Sequence, residues 1–355
     1  MTDILVVTVI FFLEVLLFYF LPTLNGKGTL FGFVVKEDSL ASDVLKKYRL
    51  GLIGIALFFL LAIFGGIYYL PQSLVFTYIL SVLILGWWLH TNFLRGWNLR
   101  KIETYSRLAT TLKPRKLLDF TNIWWELAVI LLTLLPIYVL IHFYPQLPES
   151  IPVHWNASGK ADRWEAKSVF NVFFISLLGV YLQIFFVIIK ADIVHARFRL
   201  PAENSEQVLP LKEISHLANI NLIDWCRLSL GILFAAINSL LLSVLATETV
   251  AIVINIFLWL GIVLLILGTG FYLYQIILVN RQIKELTGQV VFQTANEEKG
   301  WENGMFYKNA DDAAFFVEKP SGMGYTLNFA NKRAYLYVGM VGLIIAISII
   351  APILL

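Results

Sequence analysis

The chain has 355 residues, of which 59% are hydrophobic and 14% charged, and a formal net charge of +3. That balance, with a mean hydropathy of +0.76, excludes an ordinary soluble domain, where apolar content is nearer half and charge nearer a quarter. The small net charge gives no ground for nucleic-acid binding, and a single cysteine, Cys226, excludes an intrachain disulfide.

Apolar runs of about 20 residues match the roughly 30 Å of hydrocarbon crossed at 1.5 Å per helical residue. They occur at about 3–22, 51–70, 73–93, 122–142, 168–190, 225–245, 250–277 and 335–354. The pattern predicts an all-α integral membrane protein of about eight transmembrane helices. The first run begins Met-Thr-Asp without Lys or Arg and is followed by no small-residue cleavage site, so it is expected to stay in the mature protein.

Glu14 sits near the middle of that first run. A central charge costs roughly 3 kcal/mol, and each Leu, Ile, Phe or Val around it returns about 0.3–0.6, so the helix still inserts. Its carboxyl then calls for a proton, a partner or a wet cavity, with Asn238 and Asn255 as candidate partners. Glu14 thus reads either as a ligand-binding group or as one end of an interhelical hydrogen bond. Gly54, Gly65 and Gly66 in the second run and Pro136 in the fourth fit close helix contact or a kink.

Residues 94–112 carry Leu99, Ile102, Tyr105 and Leu108 at helical spacing, which predicts a continuation of the third helix up to Lys113 and Pro114. Glu126, after Trp124 and Trp125, is expected to reach the membrane interface as an anchor. Residues 211–224 read as an interfacial helix or a stalk on the sixth span, and Cys226 as an apolar filler.

Lys and Arg orient the bundle. The connectors after spans 1, 3, 5 and 7 carry 5, 7, 4 and 7 of them, counting Lys190 at the edge of span 5, against 0, 3 and 0 after spans 2, 4 and 6. The positive-inside rule puts the first set in the cytoplasm and both termini and the 144–164 loop outside. The expected divisions are a three-span region at 1–121, a two-span hairpin with the exterior loop at 122–190, a connector with two spans at 191–287, a small cytoplasmic β-rich subdomain at 288–334 and a last transmembrane helix at 335–355.

The exterior loop, YPQLPESIPVHWNASGKADRW at 144–164, is the most distinctive polar segment. Pro145, Pro148 and Pro152 restrict its backbone, 156–159 fits a type I turn, and Asp162 with Glu165 fits a capping box opening span 5. Trp155 and Trp164 suit the head-group region. A rigid structural corner accounts for much of this. The sharper alternative has His154, Asn156 and Asp162 converging on an exterior ligand. Only His142 and Glu149 could add to a metal set, too few for a regular zinc site, so no metal or cofactor is expected.

Leu147, Pro148, Ile151, Pro152, His154, Asn156, Gly159 and Asp162 give the order L-P-x-x-I-P-x-H-x-N-x-x-G-x-x-D. This resembles a widespread bacterial membrane domain of uncharacterised function. That domain also occurs in the immunity proteins that protect Bacillus-type cells from their own secreted Sdp killing factor. Ala161 stands where the family usually has proline.

In 288–334, strand-like stretches at 304–308, 313–318 and 324–330 are separated by turns at 309–312 and 320–322. Trp301, Gly304, Phe306, Tyr307, Asn309, Asp311, Asp312, Phe315, Val317, Lys319, Gly322, Gly324, Thr326, Asn328 and Phe329 resemble the pattern of a second bacterial domain of uncharacterised function. It often follows the first domain in one polypeptide. Asp311, Asp312, Lys319 and Asn328 are the candidate inner-site residues, although acidic turn residues usually cap backbone amides.

No serine–base, cysteine–histidine or HExxH pattern is present, which weighs against a hydrolase. The resemblance implies an immunity-like or sensory protein that engages an antimicrobial peptide or envelope ligand, in contact with membrane lipid and with a cytoplasmic protein partner. A transporter or channel with a polar path near Glu14, and a membrane-embedded enzyme, stay open as alternatives.

Overall fold

The structure, a computed structural model, describes residues 2–26, 28–69, 74–101, 104, 108–109, 115–155, 161–245 and 248–354. The long apolar runs are helices, since in lipid a helix satisfies its backbone polar groups within itself. α1 is Thr2–Phe20. A short antiparallel pair, β1 Thr29–Leu30 and β2 Phe33–Val34, leads into α2, Asp38–Tyr69, and α3, Leu74–Leu99. β3, Leu108–Ala109, precedes α4, Ile123–Phe143. An antiparallel hairpin of β4, Ser150–Trp155, and β5, Ala161–Ala166, joins α4 to α5, Val169–Val194. β6, Leu200–Pro201, pairs with β3 and opens onto α6, Ser205–Leu242, which is followed by α7, Glu248–Thr287. After the short α8, Ala295–Lys299, β7 (Trp301–Glu302) pairs with β8 (Phe306–Tyr307) and β9 (Phe316–Glu318) with β10 (Tyr325–Leu327). The last helix is α9, Arg333–Leu354.

Among the described residues six helices, α2 to α7, are long and apolar enough to cross a membrane. The apolar stretches Val7–Thr23 and Arg333–Ile344 are shorter. Leu61, Leu83, Leu131, Leu177 and Leu267 stand exposed on the outer faces of the helices, where lipid would cover them. The 38 residues of α6 run about 57 Å at 1.5 Å per residue, well beyond the hydrocarbon thickness. Residues 211–224 are therefore one turn-by-turn continuation of the sixth apolar run, the stalk arrangement.

Two local expectations fail. The helix predicted through 112 stops at Leu99: the Arg100 guanidinium donates to the Trp97 carbonyl at 2.6 Å, and the next backbone turns to pair with β2. Lys101 N–H donates to Val34 O at 2.7 Å and Lys36 N–H to Leu99 O at 3.1 Å. Asp162 does not cap α5, because it lies inside β5; the cap is Ser168, whose Oγ accepts from Asn171 N–H at 3.0 Å. In 288–334 the extended stretches, preceded by the short helix α8, are two or three residues each and are joined by turns. One is a tight hairpin through Asn303 and Gly304, both with positive φ (54° and 68°), the pairing that a type I′ turn requires.

α1, α2 and α3 share a core of Phe11, Tyr48, Leu52, Phe59 and Leu85, which Trp301 and Tyr307 extend. Trp88 Nε1–H donates to Tyr48 O at 3.1 Å, and Gly51 makes this approach workable, since a Cβ there would lie 2.1 Å from the Trp88 ring. α6 packs on α4, α5 and α7, and α9 lies against α5, where Tyr181 OH donates to Met340 O at 2.9 Å.

Candidate functional site

The β4–β5 hairpin closes one end of the α4–α5–α6 group. Ser150 pairs with Ala166, Ile151 with Glu165 and Pro152 with Trp164, and the register then slips around His154. A slip here suits the sequence, because Pro152 has no N–H to give the ladder. The hairpin is pinned at its base: Lys167 N–H donates to Glu149 O at 2.7 Å, Lys167 Nζ to Leu147 O at 2.8 Å and Asn171 Nδ2 to Ala166 O at 2.8 Å. Leu140, Leu147, Ile151, Val172 and Leu241 form the buried apolar layer beneath it.

The slip brings His154 opposite Arg163 and sets its Nδ1 2.5 Å from Asp162 Oδ1. Both side chains stay open to solvent, at 60% and 44% exposure. Two of the three outer candidates are thus joined; Asn156 lies outside the described residues. Beneath them, between α5 and α6, is a cavity of about 250 Å³ with walls of Trp155, Phe174, Ile175, Leu178, Ile237 and Leu241. Its polar lining is His154, Arg163, Asn171 and Asn238.

Glu14 is elsewhere. It is half-buried on α1, within the α1–α3 group, and its Oε2 is buried without a hydrogen-bond partner among the described residues. Asn238, one of its two candidate partners, accepts the Ser176 hydroxyl at 2.9 Å across α5 and α6.

Of the four inner candidates, Asp311, Asp312 and Asn328 share one knot of turns through Asn309, and Lys319 has no hydrogen bond to them among the described residues. Asn328, 1% exposed, knots the turns together: its Nδ2 donates to Asn309 O and Asp312 O at 2.8 and 2.9 Å, and its Oδ1 accepts from Asn309 N–H and Ala330 N–H, each at 3.1 Å. Asp312 Oδ2 accepts from Arg199 at 2.7 Å and from Tyr307 OH at 3.0 Å. Burial and the Asp312 carboxylate push the Tyr307 phenol up from its usual value, although its bond from Asn309 Nδ2 opposes this. Asp311 is exposed, and its own N–H donates to Asn309 Oδ1 at 3.0 Å. Lys319 bonds Gly324 O through its N–H, and burial lowers its ammonium below the ordinary lysine range.

Sequence reasoning missed a buried quartet at the other end of the same helices. Glu126 of α4, assigned to the interface on sequence grounds, takes a two-armed bond from Arg227 of α6 at 2.8 and 2.6 Å. Lys190 of α5 donates to both carboxylate oxygens of Asp224 at 2.8 Å and lies 3.6 Å from Glu126. Lys190 and Arg227 are 2% and 4% exposed. Two carboxylates and two cations cancel, which is how such charges survive burial. The one signal in the sequence was Asp224 and Arg227 spaced i, i+3 at the start of the sixth apolar run. Among the described residues no group of three or more His, Cys, Asp and Glu is placed to hold a metal ion.

Residues 131–180, which run from α4 through the hairpin into α5, match the model of a domain of unknown function (DUF1648). Residues 310–335, which include the Asn328 knot, match the model of a family of unknown function (DUF5808). No curated protein and no solved structure matches the chain.

Proposed function

We propose that the chain is an eight-span protein of a bacterial cell membrane, immunity-like or sensory, that engages an antimicrobial peptide or another envelope ligand through the β4–β5 hairpin. In this arrangement both termini and the hairpin lie outside the cell, and 288–334 lies in the cytoplasm, within reach of a protein partner. One observation carries the proposal: an exposed His154–Asp162 pair on a pinned hairpin that roofs an apolar cavity of about 250 Å³. The space is partly open between α5 and α6, so a group from outside can reach its apolar walls. α6 supplies a route for the output. It lines the cavity with Ile237 and Asn238, and near its other end Lys212 bonds Glu318 at 2.6 Å.

The test compares survival of cells with and without the gene against a panel of envelope-active peptides, with Leu178→Trp as the variant that fills the cavity. Protection that disappears in the variant at unchanged membrane yield supports the proposal; equal survival across the panel overturns it. The orientation has its own check, an impermeant maleimide on Trp164→Cys in a Cys226→Ala background. Labelling in intact cells is expected.

A second reading, a transporter or channel, is favoured by Glu14 Oε2, which has no hydrogen-bond partner among the described residues, since such an oxygen in lipid suits a group that takes and releases a proton or cation. Glu14→Gln in proteoliposomes separates the two: loss of an ion or proton flux would favour transport.

A further inference from the structure

We infer that the cavity beneath the hairpin receives the free carboxy-terminal residue of an apolar peptide, with Arg163 holding the carboxylate. This rests on the ligand role proposed above and names the ligand's chemistry. Arg163 is exposed, lines the cavity, and its guanidinium has no hydrogen bond or ion pair among the described residues. It is the one Lys, Arg, Asp or Glu in the described lining, so the charge inside the mouth is positive. The neighbouring acid, Asp162, is already bonded to His154. A guanidinium fork binds a carboxylate through two parallel N–H bonds, the strongest polar contact such a site can make.

Size and a second polar group choose among carboxylates. At about 250 Å³ the cavity falls under the roughly 300–1,000 Å³ of ordinary small-molecule sites, so it takes one large apolar side chain. Asn238 on the cavity wall limits the length of the occupant: it is 5% exposed and bonded to Ser176, so a longer hydrocarbon tail would meet a polar amide side chain. Asn171 spends its Nδ2 on Ala166 O, which leaves Oδ1 as an acceptor in the lining. A peptide's last N–H fits that acceptor, and a fatty acid has none to offer. The apolar walls take the terminal side chain, Arg163 the carboxylate and Asn171 the amide N–H.

The test is calorimetric titration of the full chain in nanodiscs with N-acetyl-Leu-Phe, its carboxamide and decanoate. The free acid is expected to bind about tenfold or more tighter than the carboxamide. Arg163→Gln should erase that preference without changing carboxamide binding, and Arg163→Lys should keep part of it, since a lysine restores charge without the fork. Leu178→Trp should abolish binding of both peptides. Acid and amide binding equally well would overturn the carboxylate assignment and leave the ligand role standing. Binding of neither peptide would overturn the cavity as a ligand site altogether. Decanoate binding more tightly than the dipeptide acid would overturn the peptide assignment in favour of a lipid acid.

Discussion

The two ends of the α5–α6 pair solve the problem of polarity in lipid in opposite ways. At one end four charges are drawn from three helices and cancel, and of their buried polar atoms Arg227 Nε alone lacks a partner among the described residues. At the other end a single neutral bond, Ser176 to Asn238, borders an unfilled cavity, and the charged groups stay at the solvent-facing rim. Completeness marks the first as a structural fastening. Space, and a cation without a partner among the described residues, set the second apart as the place where the proposed ligand would sit.

Breaking the fastening should have the largest effect. Lys190→Met or Arg227→Met leaves a carboxylate buried and uncompensated, a loss of about 3–5 kcal/mol. Thermal unfolding in detergent should show it as collapse of the folded yield. The double variant Glu126→Gln, Arg227→Gln keeps hydrogen-bonding groups without the charges and should lose less than either methionine variant. A double variant that loses as much as the sum of the single variants Glu126→Gln and Arg227→Gln would show that the two charges do not act together.

Next in size is Asn328→Ala. It removes four hydrogen bonds from a 1%-exposed side chain and strands four part-buried backbone groups, in Asn309, Asp312 and Ala330. A fully buried group left unpaired costs about 1–3 kcal/mol, and because water can reach these part-buried groups in the variant, a total loss of about 2–4 kcal/mol is expected. Hydrogen exchange should accelerate at 305–330 while α4 to α6 stay protected. His154→Ala should change stability by less than about 1 kcal/mol, because the Asp162 pair is exposed. A folding yield that falls with His154→Ala would instead mark the hairpin as a structural corner, with no ligand.

The helices were legible because each needs only a local signal, an apolar run of membrane length, and α2 to α7 follow those runs. The proline-rich loop was legible as unusual, and so were His154 and Asp162 as residues to watch. That the two touch was not, because contact between residues eight apart depends on a hairpin that Pro152 and a slipped register disguise. The quartet was harder still. Glu126 and Arg227 are 101 residues apart, and no periodicity within either run says which foreign helix each will face. Lys190 looked like a basic residue at a span's end, and only the packing of α4, α5 and α6 turns it inward. Residues 94–112 misled for the converse reason: their helical spacing is real, but pairing with β2 at Arg100 and Lys101 outcompetes it.

The smallest expected effect separates a binding lysine from a merely buried one. Burial lowers the Lys319 ammonium below its usual value, so folding favours the neutral amine and the charged form costs stability at pH 7. Between its lowered folded value and the ordinary lysine value near about 10.4, the unfolded chain holds the proton more tightly, so stability should rise with pH there. Lys319→Met removes the titrating group. The variant should therefore be equal to or slightly more stable than wild type at pH 7, and the advantage should shrink as pH climbs towards that ordinary value. Melting curves of both proteins across this range read the difference directly. A methionine variant clearly less stable at pH 7 would mean that the ammonium is held by a favourable partner, and would restore Lys319 as an inner-site residue.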